Sequence, residues 1–257
     1  MRFGCCVAPE QIDVIARAGF DYCELPARAV RPLEDDRAAA PALDAIAAAP
    51  LRPEAFNVLV PPEIRMVGPE ADLERLRGYL RRAFGRMAAL GGRAVVLGSG
   101  GARRIPDDMP REQALDQLAA SLEVAGEEAA RAGISLALEH LNRGESNVFN
   151  TVAECQAFIE QRGLSDVRLL ADLHHLELEQ EPFANVVAAA PLLVHVHVAD
   201  GGRRHPGVGG YDYAGFMRAL RQAGYDERIS AECSWENLEE QAAGALAFMK
   251  QQWEASK

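Results

Sequence analysis

The chain has 257 residues, 49% of them apolar and 25% charged, a composition typical of a globular protein with a large core. Its formal net charge of −11 disfavours a nucleic acid or an anionic membrane surface as a partner. No apolar run is long enough to cross a bilayer and no signal-peptide pattern is present, so we expect a cytoplasmic location. The five cysteines show neither a Cys-x-x-Cys nor a disulfide-scaffold spacing, and we expect all of them to be reduced core residues.

The first half of the chain alternates short strand-like segments with amphipathic helical segments. Each predicted strand is followed by a polar turn and a helix, and a glycine often precedes the next strand. Gly19 and Gly133 each follow a helical segment, as expected of C-terminal caps. The predicted strands are residues 2–7, 20–25, 52–60 and 93–97, and the predicted helices are residues 9–19, 34–49, 69–90 and 111–132.

The second half repeats the same unit more regularly. Its predicted strands are residues 134–143, 167–179, 192–200 and 228–233, and its predicted helices are residues 151–163, 182–190, 211–224 and 235–253. Eight strand–helix pairs in a chain of this length predict an α/β fold, the (β/α)8 TIM barrel. No linker or change of composition divides residues 1–257, so we predict a single barrel domain. A doubly wound sheet is the alternative, but no Gly-x-Gly-x-x-Gly follows the first strand.

The segment LLVHVHVADGGRR, residues 192–204, combines a clean apolar alternation with two imidazoles. Period-two alternation places His195 and His197 on one face of the predicted strand and three valines on the other. Two interpretations are open from this pattern alone. The histidines either form part of a functional site or are a hydrogen-bonded pair in the core.

Three further predicted strands carry an acidic residue at or near the carboxyl end: Glu139, Asp172 and Glu232. In a barrel, alternate residues point inward and the carboxyl ends of the strands form the active-site rim, so these acids should converge with His197. Carboxylates placed together raise one another's pKa, and a divalent cation resolves that repulsion. Oxygen ligands with one imidazole favour Mn²⁺, Mg²⁺ or Co²⁺ over a structural zinc.

Three motifs in this region carry a resemblance to a known family. The segment EHLNRGE runs from Glu139 to Glu145, DLHH begins at Asp172, and Arg203 stands six residues after the second histidine of HVH. The last strand ends in Glu232. In these motifs the chain resembles the xylose isomerase-like sugar isomerases and epimerases, which include tagatose/psicose 3-epimerase, hydroxypyruvate isomerase and inosose dehydratase.

The resemblance implies a role for seven residues. Glu139, Asp172, His197 and Glu232 match the ligands of one divalent ion, for which we expect Mn²⁺ first and Mg²⁺ or Co²⁺ as alternatives. Glu139 and Glu232 also match the acid/base pair that works on opposite faces of the substrate. His175, Arg203 and Glu145 match groups that hold substrate oxygens. The expected partner is a small carbohydrate, and a homo-oligomer is compatible with the family.

The same site supports several reactions. A metal that chelates a carbonyl oxygen and the neighbouring hydroxyl acidifies the carbon between them and stabilises an enediolate. Return of the proton on the other face is epimerisation, and return at the neighbouring carbon is isomerisation. Loss of a β-hydroxyl is dehydration, which remains the alternative chemistry. A metal hydrolase resembling the apurinic endonucleases is a weaker alternative, because the further histidines of that multi-metal site are missing.

Two features allow opposite interpretations. The loop from Gly98 to Arg104, GSGGARR, either binds an anion through its amides, Arg103 and Arg104, or is a flexible turn with solvated arginines. Strand parity points His174 inward with Asp172, whereas the family pattern favours His175.

Overall fold

Eight parallel strands close into a barrel in the computed structural model, which describes residues 1–257. Each strand pairs with the next along the chain, and the first pairs with the last, so no strand edge is left open. The prediction of a TIM barrel is confirmed. The strands are β1 Arg2–Cys6, β2 Tyr22–Pro26, β3 Pro53–Asn57, β4 Ala94–Leu97, β5 Ser135–Glu139, β6 Val167–Asp172, β7 Leu193–Val198 and β8 Arg228–Ala231.

Ten α-helices accompany the strands, and short 3₁₀ turns occur at Pro9–Gln11, Ala27–Val30 and Gly201–Arg203. Several helices begin and end where the sequence provides caps: the Asp72 carboxylate accepts a hydrogen bond at the start of α3, and left-handed Gly91 ends it. The helices are α1 Ile12–Ala18, α2 Asp36–Ala47, α3 Leu73–Leu90, α4 Gly100–Arg103, α5 Arg111–Ala132, α6 Val152–Arg162, α7 Leu173–Glu179, α8 Ala184–Ala188, α9 Tyr213–Gln222 and α10 Leu238–Ala255. None of them is both long and apolar enough to cross a membrane.

The main core is a continuous cluster of 67 buried residues, and the inside of the barrel is filled separately. Tyr22 fills part of the interior, where its hydroxyl lies 2.8 Å from that of Ser230. A Cβ added at Gly4 would stand 2.2 Å from the Tyr22 ring, so only glycine makes room for it. Small residues therefore allow a large aromatic side chain inside the barrel, below the carboxyl-terminal rim.

Three predicted strands extend well beyond the observed ones, since β3 ends at Asn57 and β5 at Glu139, and the sixth shows the largest difference. Residues 167–179 were expected to be strand throughout, but β6 ends at Asp172 and α7 follows at once. The Asp172 carboxylate accepts a hydrogen bond of 2.6 Å from the His174 amide, which caps the helix. Leu173 and Leu176 are then buried with the three-residue spacing of a helix face.

All five cysteines are free, in agreement with the prediction. They are not all core residues, however. Cys6 and Cys233 are only partly buried, since they lie at or just beyond the carboxyl ends of β1 and β8, where the barrel opens.

Candidate active site

The four predicted metal ligands lie together at the carboxyl ends of β5 to β8. One ligand atom from each lies within 4.8 Å of all the others, and the set is Glu139, Asp172, His197 and Glu232. The His197 Nδ1 atom is 3.4 Å from Glu139 Oε1 and 3.4 Å from Glu232 Oε2. The convergence expected from strand parity is thus present in the structure.

The space between these side chains fits a cation. Glu139 Oε1 and His197 Nδ1 are buried and have no hydrogen-bond partner, which is unusual for buried polar atoms. Burial and the neighbouring charge of Glu232 raise the pKa of Glu139. Burial lowers the pKa of His197, but Glu24 and then Glu232 outweigh it and raise that pKa well above its ordinary value. The site therefore holds an excess of negative charge, and three carboxylates with one imidazole suit a divalent ion.

Glu24 on β2 holds the two histidines of β7. Its carboxylate accepts hydrogen bonds from His195 Nε2 at 2.7 Å and His197 Nε2 at 2.8 Å, and all three side chains are fully buried. Burial raises the pKa of Glu24, but His197 and then His195 outweigh it and hold that pKa well below its ordinary value. Because an ionised carboxylate only accepts hydrogen bonds, both Nε2 atoms must carry the proton. Nδ1 of His197 is then the nitrogen that faces the acid cluster.

The two interpretations of the histidine pair each apply to one residue. His195 is a hydrogen-bonded interior residue, whereas His197 bridges Glu24 and the acid cluster. Glu24 lies within the predicted strand 20–25, and the sequence pattern alone assigned it no role. A signal was present, because Glu24 shares a strand face with Tyr22 and has the same strand-end position as the other acids.

Glu232 is held from two further sides. Its Oε1 atom accepts a hydrogen bond of 3.1 Å from Asn57 at the end of β3, and Oε2 accepts one of 3.2 Å from Arg203. Burial raises the pKa of Glu232, but His197 and then Arg203 outweigh it and lower that pKa to about 2. Glu232 and Glu139 consequently differ in proton affinity, although they face the same cluster.

Arg203 contacts the two other residues that the family resemblance assigned to substrate oxygens, Glu145 and His175. Its Nη2 atom donates to both oxygens of Glu145 at 3.2 Å and lies 3.1 Å from His175 Nε2. Arg203 also adopts a left-handed backbone at φ 55°, an uncommon conformation for a side chain of this size. The structure thus brings Arg203, Glu145 and His175 together beside Glu232.

His174 and His175 stand on a helix, and one ring nitrogen of each lies within 4.8 Å of the other and of a Glu145 oxygen. His174 Nδ1 lies 3.0 Å from the Tyr211 hydroxyl, whereas His175 Nδ1 accepts a hydrogen bond of 3.1 Å from the Asn142 amide. Strand parity does not apply beyond Asp172, where α7 begins. His175 is the one that contacts Arg203.

In the loop from Gly98 to Arg104, Arg103 fits neither interpretation, whereas Arg104 is exposed, as the second interpretation expects. The Arg103 side chain is fully buried and donates to the carbonyls of Leu97 at 3.2 Å and Glu139 at 2.7 Å, so it neither binds an anion nor faces solvent. A Cβ at Gly98 would stand 2.1 Å from Glu139 Oε2. The glycine therefore allows the loop to pass close to that carboxylate, and Arg103 fastens the loop to the ends of β4 and β5.

A cavity of about 380 Å³ opens above the acid cluster, which is a volume typical of a small-molecule site. Glu139, Glu232, Glu145 and Arg203 are among the residues that line it. The loop 98–102 and the side chains of Val58, Val60 and Pro62 also belong to its lining. The cavity thus combines charged side chains with loop backbone and apolar side chains.

Comparison with known proteins gives a consistent result. The model of a family described as xylose isomerase-like TIM barrel matches residues 12–252. An L-ribulose 3-epimerase of Methylomonas sp. (strain DH-1) is 32% identical over 197 residues, 68% of each chain. A 3-dehydro-D-guloside 4-epimerase of Escherichia coli (strain K12) is 31% identical over 175 residues, 65% of this chain and 67% of its own length. The fold is shared with a D-allulose 3-epimerase from Methylomonas sp. in complex with D-allulose, at a TM-score of 0.84 and 24% identity, over 98% of this chain and 97% of that one.

Proposed function

The chain belongs to the xylose isomerase-like TIM barrel family, and from this premise we propose that it is a divalent-metal-dependent sugar epimerase or isomerase. The observation that carries the proposal is the convergence of Glu139, Asp172, His197 and Glu232 below a cavity of about 380 Å³. Two relatives are epimerases by name, one acting on L-ribulose and one on a dehydroguloside. They support epimerisation ahead of the other reactions that such a site permits.

The metal would be held by these same four side chains, with Mn²⁺ as the expected ion and Mg²⁺ or Co²⁺ as alternatives. When bound, it would supply a positive charge beside the substrate carbonyl and so acidify the neighbouring C–H bond. The unpartnered Glu139 Oε1 and His197 Nδ1 atoms support this assignment.

Glu139 and Glu232 would carry the proton transfer. One carboxylate takes the proton from the carbon beside the carbonyl, which leaves an enediolate, and the other returns a proton to the opposite face. The raised pKa of Glu139 suits a group that gains and loses a proton during turnover. Asn57 and Arg203 hold Glu232, so its carboxylate is fixed in position as well as in charge.

Arg203, Glu145 and His175 would position the sugar. Their polar atoms already interact beside Glu232, and two of them line the cavity. A guanidinium, a carboxylate and an imidazole offer both donors and acceptors, which is what the hydroxyl groups of a small carbohydrate require. Their location just beyond strand ends is where TIM barrels bind substrates.

The test is turnover in heavy water. The purified protein with Mn²⁺ is incubated with a panel of ketoses and keto-glycosides in D₂O, and the products are identified by NMR. We expect a sugar epimer or isomer that carries deuterium, in part or in full, at the carbon that lost its proton. A chelator should abolish the reaction, and adding Mn²⁺ back should restore it. An unsaturated product would instead establish dehydration. An epimer that contains no deuterium at any enzyme concentration would contradict proton exchange through Glu139 and Glu232.

A further inference from the structure

A second cavity of about 370 Å³ lies beside the active-site cavity. The two share Val58 and Pro62 in their linings, so they adjoin along that edge. The outer cavity is formed by the segments that follow β2 and β3 and by Tyr79 of α3. It therefore opens on the carboxyl-terminal face of the barrel, where the proposed reaction takes place.

Prolines and exposed apolar side chains form part of the wall of the outer cavity. Four of its lining residues are prolines, whose backbone is fixed in φ: Pro26, Pro32, Pro61 and Pro62. Leu33 is 63% exposed and Val58 is 50% exposed, and both side chains line the cavity. Large apolar side chains that face water in a concave wall are typical of a binding site.

Val58 stands at the boundary between the two cavities in a strained backbone conformation. Its φ is 48°, in the left-handed region, which a β-branched residue rarely adopts. The preceding residue, Asn57, donates its hydrogen bond to Glu232. The strained residue therefore belongs to a turn that directs Asn57 toward the acid cluster and Val58 toward the cavities. Backbone strain of this kind is common at functional sites.

The charges of the outer cavity cancel. Two arginines and two glutamates line it: Arg28, Arg31, Glu34 and Glu63. Arg31 and Glu34 pair with each other at 3.4 Å, whereas the structure gives the side chains of Arg28 and Glu63 no partner. A wall with free donors and acceptors but no net charge suits a neutral ring with hydroxyl groups, and Leu33 and Val58 suit its apolar face.

We propose that the outer cavity is a subsite for a neutral ring attached through a glycosidic bond to the reacting sugar. The substrate class is then a glycoside, with its keto-sugar at the acid cluster and its second ring between Leu33, Val58 and Arg28. The inference rests on the proposed function, because that function places the reacting sugar in the inner cavity. The glycosidic bond would then run past Val58 and Pro62, which line both cavities.

The experiment compares two probes that differ only in the substituent, methyl β-D-glucopyranoside and phenyl β-D-glucopyranoside. Their affinities for the Mn²⁺-loaded protein are measured by calorimetry, and the protons that contact the protein by saturation-transfer NMR. Burial of the phenyl ring should make the second probe bind at least about tenfold tighter. Leu33→Asp should remove that difference. Leu73→Asp is the matched control, since Leu73 is 40% exposed and lines neither cavity.

The outcomes separate this inference from the proposed function. Equal affinity for both probes, unchanged by Leu33→Asp, overturns the subsite even if free ketoses are epimerised. If the protein prefers the phenyl probe and Leu33→Asp removes that preference, the subsite is supported even when no sugar is turned over. In that case only the proposed reaction is refuted. A third result is a change of oligomeric mass on Leu33→Asp with no change in binding. That result makes the cavity a contact between copies and overturns the inference.

Discussion

Glu24 Oε1 and His197 Nε2 form a hydrogen bond of 2.8 Å inside the barrel, and this bond determines which ring nitrogen faces the acid cluster. The carboxylate can only accept, so Nε2 carries the proton and Nδ1 is directed at Glu139 and Glu232. Carboxylates in this position orient metal-binding histidines and raise their basicity. The proposed centre thus depends on a residue outside the four predicted ligands.

Substitution of Glu24 should weaken metal binding. Glu24→Gln keeps the volume but removes the negative charge, and its amide oxygen can accept from one histidine only. We expect Mn²⁺ affinity, measured by calorimetry, to fall about 10–100-fold. Ser230→Ala is the milder control, because it keeps the charge of Glu24 and both histidine contacts, and removes the 2.6 Å hydrogen bond from Ser230 to Glu24 Oε2 and the 2.8 Å contact with the Tyr22 hydroxyl. An unchanged Mn²⁺ affinity in Glu24→Gln would show that the bond does not tune the centre.

Asp172 allows a ligand role to be separated from a structural one. Its carboxylate both faces the cluster and caps α7 through the His174 amide. Asn is an equally good cap but a weaker ligand for a hard cation, so Asp172→Asn should keep the melting temperature and lower Mn²⁺ affinity at least about tenfold. The wild-type chain should bind about one ion, as judged by elemental analysis. Failure to bind any of Mn²⁺, Mg²⁺ or Co²⁺ at saturation would refute the proposed centre.

The two acids at the cluster should both be needed for turnover. Glu139→Gln and Glu232→Gln keep the shape and one ligand oxygen, but neither can accept a proton. Each should lower kcat by about 100-fold or more, the usual contribution of general acid–base catalysis, while Mn²⁺ binding survives in weakened form. Steady-state kinetics with a confirmed substrate measures the effect. A double Gln variant that works at the wild-type rate would leave these carboxylates as ligands only.

Arg203 should position substrate, not stabilise the fold. Its partners Glu145, Glu232 and His175 are all side chains of the proposed site. Arg203→Ala should lower kcat/KM with little change in melting temperature. Arg204→Ala is the control, since the side chain of this exposed neighbour donates only to the Gly201 carbonyl. A large loss of stability with unaltered kinetics would instead make Arg203 a structural ion-pair residue.

Arg103, in contrast to Arg203, should stabilise the fold. Its buried guanidinium donates to the carbonyls of Leu97 and Glu139, and Arg103→Met would remove both hydrogen bonds. A hydrogen bond to a charged group contributes about 1.5–3 kcal/mol, and urea denaturation should show a loss of at least about 1.5 kcal/mol. Exposed Arg104→Met should change the free energy of unfolding by less than about 0.5 kcal/mol. Equal stabilities of the two variants would contradict the structural role of Arg103.

Two patterns in the sequence were sufficient to predict the barrel and the convergence of four side chains: the alternation of strand and helical segments, and the period-two alternation within each strand. Side chains two apart on a strand share a face, and parallel strands of a closed barrel end at one rim. The positions of Glu139, Asp172, His197 and Glu232 therefore followed from local pattern once eight strand–helix pairs were counted. The same parity no longer applies at His174, because a capping aspartate turns the chain into a helix at Leu173.

Only the tertiary structure decided which residues support that rim. Glu24 meets His195 across 171 residues of sequence, and Asn57 meets Glu232 across 175. No periodic pattern in the sequence indicates these contacts, because they depend on how the closed barrel brings β2 and β3 opposite β7 and β8. The buried position of Arg103 and the outer cavity at Val58 arise in the same way, from loop backbones packed against one another. Local pattern sets which way a side chain points, whereas the closure of the barrel sets what it meets.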